Sequence, residues 1–229
     1  RWGHHRSEVK EHAWLLPGVS PDRPAGHVHR VEKNLHLVRA LGYRGPVPQS
    51  RLPDRSAERH RLRQALALND SRALIVLHPF VSPFGRFKEW PAERFVRLAR
   101  RLVERRHRVV VTWTAAERAT SESIVERVGD GCELAPETSS LKELAALLEL
   151  AATVVAADTG PLHLAAAVDT PVIGLFGPKD PVRYGPYSAR SRVVRSGAPC
   201  SPCTLRRCEH AICMQTLAVD DVLIAIREV

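Results

Sequence analysis

Long apolar runs are missing from this 229-residue sequence. The longest, residues 144–157, is interrupted by Glu149 and is too short to cross a bilayer. No charged, apolar and small-residue succession marks a signal peptide. Aromatic residues are scarce, at 5%, and are not interleaved with basic ones, so a stacking platform for nucleic acid is not expected. The 13 glycines never fall into G-x-G-x-x-G after a strand or into G-x-x-x-x-G-K-[ST], so the usual dinucleotide and P-loop devices are absent. Methionine occurs once, as Met214, and the chain opens on Arg1, which reads as a fragment of a longer protein.

What is present is an ordinary soluble composition, 44% hydrophobic and 26% charged, in a chain long enough for a real core. The net charge of +9 is uneven. Residues 1–72 hold 14 Lys+Arg against 7 Asp+Glu, and the remainder is close to balanced at 20 against 18. A basic stretch of this kind suits a solvated face, an anionic membrane surface, nucleic acid or a phosphorylated ligand.

Residues 1–30 show no periodicity beyond the short apolar patch Trp14-Leu15-Leu16, which allows one short strand. Val31, Leu35, Val38 and Leu41 recur at helical spacing, and Gly42 supplies the stop. Proline and glycine at 45–53 mark a linker, followed by a basic helix over 57–68. Regular alternation begins at residue 73. Strands are expected at 73–77, 109–113, 132–134, 154–157, 171–176 and 192–194. Helices are expected at 90–103, 117–128, 141–150, from 161 onward, and at 219–226. Phe95, Leu98, Ala99, Leu102 and Val103 follow the helical period without exception, and Leu141, Leu144, Ala145 and Leu148 are expected to face inward. Strands alternating with helices imply right-handed βαβ units and a doubly wound parallel sheet, with ligands outside the carboxyl ends of its strands.

On that edge the most informative stretch runs from residue 154 to 167. A buried strand turns through Asp158-Thr159-Gly160 into a helix with Pro161 expected at its first position. The free N–H groups and positive dipole end of such a helix suit an anion, and Gly160 allows close approach to the backbone. A capped βα turn is the plainer reading of Asp-Thr-Gly alone. Taken singly, Lys88 also reads as a surface lysine, Glu117 as an N-terminal helix carboxylate, and His163 as a packing or capping histidine rather than a catalyst.

Together, however, His78-Pro79, Lys88-Glu89-Trp90-Pro91, Glu117, Asp158-Thr159-Gly160-Pro161-Leu162-His163 and Phe176-Gly177-Pro178-Lys179-Asp180-Pro181 resemble the C-terminal half of glycosyltransferase family 9. These are the heptosyltransferases of lipopolysaccharide core assembly. The resemblance covers residues 73–229, with a weaker echo over 28–42. It implies a GT-B fold of two Rossmann-like domains, the C-terminal one complete here and the N-terminal one partial. The expected organisation is a remnant of the N-terminal acceptor domain at 1–45, a linker and basic helix at 46–72, and a nucleotide-sugar-binding domain at 73–229. By the same resemblance Lys88 meets the donor's phosphate and sugar, and Glu117 holds the ribose hydroxyls. Asp158 bonds the transferred sugar, Thr159 and Gly160 bind the diphosphate, Ser82 adds a phosphate hydroxyl, and His163 completes the substrate-binding set. Lys88 and Asp158 are the catalytic candidates, and no metal is required for transfer. The implied partners are an ADP-sugar donor and a lipid-linked or oligosaccharide acceptor. The implied location is cytoplasmic, with peripheral contact at the inner, anionic face of the membrane. The family's glycine-rich opening and its general-base aspartate do not occur in this chain. Catalysis and donor binding without turnover therefore both stay open.

Cys200, Cys203, Cys208 and Cys213 are spaced so that their thiolates can converge on one structural Zn²⁺. Unpaired structural thiols and a redox pair are the other readings. Cys132, alone on an expected strand, is expected to be simply buried.

Overall fold

The computed structural model describes residues 22, 26–205 and 207–229. The patch at Trp14–Leu16 lies outside them. The chain divides into two units, residues 1–49 with 182–184, and residues 50–181 with 185–229. In the first, helix α1 (Arg30–Ala40) is capped by His29, whose Nδ1 accepts from the Val31 N–H at 3.1 Å. Gly42, at φ +98°, ends the run. Leu35 is buried, whereas Val38 and Leu41 of the expected stripe are exposed.

The second unit holds a six-stranded sheet of β1 (Leu74–His78), β2 (Arg108–Val111), β3 (Cys132–Leu134), β4 (Thr153–Ala157), β5 (Val172–Phe176) and β6 (Ser191–Arg195). Every neighbouring pair is parallel, and the order is β3-β2-β1-β4-β5-β6. The strands β4 and β5 are buried along their whole length, as strands covered on both faces must be. Side chains alternate between faces. Ile75, Leu77, Val109, Val111, Val155, Ile173 and Leu175 pack against Phe95, Leu98 and Leu102 of α3 (Ala92–Glu104) and Val222 of α9 (Val219–Arg227).

The other face is covered by α5 (Leu141–Glu149) and α6 (Gly160–Ala167), with α2 (Ser56–Ala65) on α5. The basic helix α2 thus belongs to the larger unit. Its Leu62 is fully buried, and the pairs Arg59–Glu149, Arg61–Glu143 and Lys142–Glu58 tie it to α5. In α5 the inward set is Ala145 to Leu148. Leu141, expected inside, is 75% exposed at the first position of the helix, one turn before the inward set begins. Among the described residues the other helices are α4 (Arg118–Val128) and α8 (Ile212–Gln215), a single turn, with a further turn α7 (Pro181–Tyr184) whose residues 182–184 fall in the first unit. Residues expected as a loop before Trp90 form a 3-10 helix, Pro83–Lys88. Among the described residues no helix is long and apolar enough to cross a membrane.

Candidate functional site

The chain runs outward from β1 in one direction through β2 and β3, and in the other through β4, β5 and β6. The switch therefore falls between β1 and β4, where a parallel sheet opens a crevice beyond its carboxyl ends. His78 ends β1, and Asp158 follows β4 directly. A cavity of about 510 Å³ at this point is lined by Ser82, Lys88, Glu117, Asp158, Thr159, Gly160 and His163, together with His78, Phe80, Val81, Thr114 and Pro161. All seven candidates that the resemblance implies for the donor are brought together there.

Lys88 is held at the crevice by its neighbours in the chain. Trp90 is 1% exposed, stacks edge-on against Phe95, and donates its indole N–H to the Leu217 carbonyl at 3.0 Å. Pro91 then caps α3. The pattern K-x-W-P thus plants one side chain in the core and leaves the other at the sheet edge. Gly85 contributes as well. A Cβ there would meet Lys88 Cε and Ser82 Oγ, each at 3.3 Å, so its absence gives both side chains room. The Lys88 ammonium donates to Asp158 Oδ2 at 3.0 Å and to the Asp158 carbonyl. Both side chains are mostly withdrawn from water. His163 Nε2 lies 3.5 Å from Asp158 Oδ1, so this histidine, half exposed and not packed inside, faces the carboxylate. Burial raises the Asp158 pKa. The His163 hydrogen bond and the Lys88 charge and hydrogen bond outweigh it, and the carboxyl is held below its usual range.

Helix α6 begins at Gly160, with Thr159 as N-cap and Pro161 at the second helical position rather than the first. The Thr159 hydroxyl turns back to the Ala157 carbonyl at 3.1 Å, so it does not cap the helix. The first-turn N–H groups have no partner within the helix. A Cβ on Gly160 would meet nothing within 4 Å, and its φ is ordinary, so neither packing nor conformation calls for glycine there. What glycine does is leave the helix N-terminus bare toward the cavity. Glu117 has a structural task too. Its Oε2 accepts from the Thr114 N–H at 3.0 Å in a reciprocal capping box, in keeping with the plainer reading of that carboxylate.

A second cavity, of about 410 Å³, adjoins the first and shares His78, Thr114 and Pro161 with it. Trp113, Leu144 and the exposed Leu141 give it apolar walls, and residues 137–140 add a polar rim. Trp113 is fixed by its N–H to the Ala135 carbonyl, 2.8 Å, and by Arg118 over its ring. From the sequence, residues 113–117 are expected on the ligand-bearing edge, so Trp113 is anticipated there, whereas residues 137–144 are not. The usable signal was positional, since the loop between β3 and α5 must open on the same edge.

The cysteine segment docks on the turn after β5, where the Cys203 N–H donates to the Pro178 carbonyl at 2.8 Å. Cys213 is buried, Cys200 and Cys208 are exposed, and all are free thiols. Burial, with the neighbouring Cys200 and Cys203, pushes the Cys213 thiol up, and Cys208 Sγ accepts from the Ala211 N–H. Among the described residues no three His, Cys, Asp or Glu side chains converge as a metal site. Cys132 is buried, with its thiol pushed up to about 12, chiefly by burial.

Residues 1–212 match the family described as Glycosyltransferase family 9 (heptosyltransferase). The chain is 35% identical over 188 residues to Lipopolysaccharide heptosyltransferase 1 of Pseudomonas aeruginosa, covering 80% of this chain and 49% of that protein. It is 31% identical to Lipopolysaccharide heptosyltransferase 3 of Escherichia coli, over 72% of this chain and 48% of the relative. The chain spans about half the length of these relatives. Among solved structures it is similar to E. coli heptosyltransferase WaaC with ADP, with a TM-score of 0.70 and 26% identity over 99% of this chain and 65% of that one. A glycosyltransferase family 9 protein from Veillonella parvula, at 20% identity, shares the fold with a TM-score of 0.73. With the family model matched over residues 1–212, nearly the whole sequence, this chain belongs to glycosyltransferase family 9.

Proposed function

We propose that this chain supplies the donor side of a glycosyltransferase that moves a heptose, or a related sugar, from a nucleoside-diphosphate sugar to a lipopolysaccharide core acceptor. ADP-heptose is the donor we favour, because similar proteins are named heptosyltransferases and one is described with ADP bound. The observation that carries the reading is the meeting of Lys88, Asp158 and the bare N-terminus of α6 on one cavity at the sheet's switch point.

In this reading the diphosphate lies on the first turn of α6, with its base in the adjoining apolar cavity. The bond from the anomeric carbon to the β-phosphate oxygen breaks as an acceptor oxygen bonds to that carbon. Negative charge then grows on the leaving diphosphate. The Lys88 ammonium and the helix N–H groups stabilise it from fixed positions. The Asp158 carboxylate, ionised by its neighbours, bonds sugar hydroxyls and faces the electron-poor ring. The acceptor's proton must go to a base. Asp158 is tied to Lys88 and His163, and Glu117 is engaged in a cap. That favours a second reading, in which these residues bind the donor without turnover. The basic excess of residues 1–72 supports an accompanying contact with the anionic, cytoplasmic face of a membrane.

Calorimetry with ADP and an ADP-sugar tests the first step, and a coupled transfer assay tests the second. Binding in the micromolar range that is weakened roughly ten- to a hundredfold in Lys88→Ala supports the donor site. No heat with either ligand overturns it, and binding without sugar release selects the second reading.

A further inference from the structure

His78 stands where the two cavities meet. It ends β1 at the switch point and lines both spaces. Thr114 and Pro161 share that position, but the Thr114 hydroxyl accepts from the Glu117 N–H, and Pro161 offers no polar side chain. A nucleoside diphosphate with its phosphates on α6 and its base against Trp113 places its ribose at this junction. We propose that His78 is a donor-binding residue whose Nε2 accepts a hydrogen bond from a ribose hydroxyl of the bound nucleotide. The proposal rests on the donor reading above and adds a residue to it.

The geometry fixes which nitrogen is free to accept. His78 Nδ1 lies 2.9 Å from Thr112 Oγ1, and that hydroxyl lies 3.2 Å from the Leu77 carbonyl. A hydroxyl has one proton. If Thr112 donates it to Leu77, Nδ1–H must donate to Thr112, and both contacts are hydrogen bonds. The opposite tautomer forfeits one of them. The Nδ1–H form leaves Nε2 with a bare lone pair. Among the described residues Nε2 has no partner, and it is not sealed away from solvent. Burial keeps the ring uncharged, pulling its pKa down to about 4, so at neutral pH Nε2 accepts and does not donate. Phe80, edge-on to the ring at 6.3 Å, flanks it.

The test compares ADP, 2′-deoxy-ADP and 3′-deoxy-ADP by calorimetry on the wild type, His78→Phe and His78→Gln. Loss of one uncharged hydrogen bond is roughly a two- to tenfold change in affinity. His78→Phe is expected to weaken ADP by about that factor. One of the two deoxy analogues should show a similar loss on the wild type and no further loss on the variant. His78→Gln, which keeps an acceptor, should recover part of the affinity. Equal losses for ADP and both analogues on His78→Phe overturn the proposal, as does unchanged ADP affinity. In parallel, nitrogen NMR of the histidine-labelled wild type should show Nε2 unprotonated and shifted by ADP. That measurement decides the matter if His78→Phe fails to fold. ADP binding with an unmoved His78 signal counts against His78 alone, whereas absence of ADP binding counts against the donor site.

Discussion

The Lys88 ammonium donates to two oxygens of Asp158 at once, the carboxylate Oδ2 and the main-chain carbonyl. The carbonyl contact ties the lysine to the turn between β4 and α6 independently of the carboxylate. Asp158 can therefore turn to a sugar hydroxyl while Lys88 stays beside the helix N-terminus. The two residues should separate in their effects. Lys88→Ala is expected to weaken ADP roughly ten- to a hundredfold, the size of one lost charge-assisted contact. Asp158→Asn is expected to weaken an ADP-sugar more than ADP itself. Calorimetry with both ligands checks this, and equal losses for both ligands in Asp158→Asn would remove the sugar role.

Gly160 offers a cleaner probe, because nothing in the fold requires glycine there. Gly160→Val should leave the melting temperature within a few degrees of the wild type. It should abolish ADP binding by covering the first-turn N–H groups. Retained ADP affinity in a folded Gly160→Val protein would place the diphosphate elsewhere.

Gly174 in β5 is the opposite case. A Cβ there would lie 2.9 Å from Phe176 Cε2 and 3.2 Å from Leu162 Cδ2, and Leu162 belongs to the first turn of α6. Gly174→Ala is expected to cost about 1–3 kcal/mol by overpacking. It should also weaken ADP by displacing the anion end of the helix. Urea unfolding and calorimetry on the same variant measure both, and unaltered values in each would mean the core absorbs the methyl.

The half-buried, desolvated ring of His78 predicts an acid-side loss of stability. Its folded pKa, about 4, lies below its ordinary value of 6.5, so the unfolded chain binds more protons between those limits. The contribution is fully present above pH 6.5 and declines as pH falls toward 4. It amounts to about 3 kcal/mol across that window. Asp158, whose pKa is lowered, loses its contribution only at more acid pH, as pH falls through its folded pKa. Urea unfolding from pH 7.5 to 4.5 should therefore show a slope that flattens in His78→Gln. An identical slope in both proteins would show that the ring is not kept neutral by burial.

The alternation of strands and helices is legible in the residues alone, since apolar period and turn residues are local properties. The residues also placed Lys88, Glu117 and Asp158-Thr159-Gly160 on one edge, because every loop after a parallel strand opens on the same side. The limits came where neighbours decide. The apolar period put Leu141 inside, but it starts α5 and stands exposed in a cavity wall. The 3-10 turn before Lys88 has no period to read, yet it sets the approach of Ser82 and Lys88 around Gly85. Strand order was not readable either. Only the tertiary pairing of β1 with β4 brings His78 and Lys88 to Asp158, from 70 residues away in the case of Lys88. The protonation of His78 likewise depends on Thr112, one strand over, and on burial by elements distant in the chain. Residue types and spacing set the available chemistry, and long-range packing set which atoms of that chemistry face the same space.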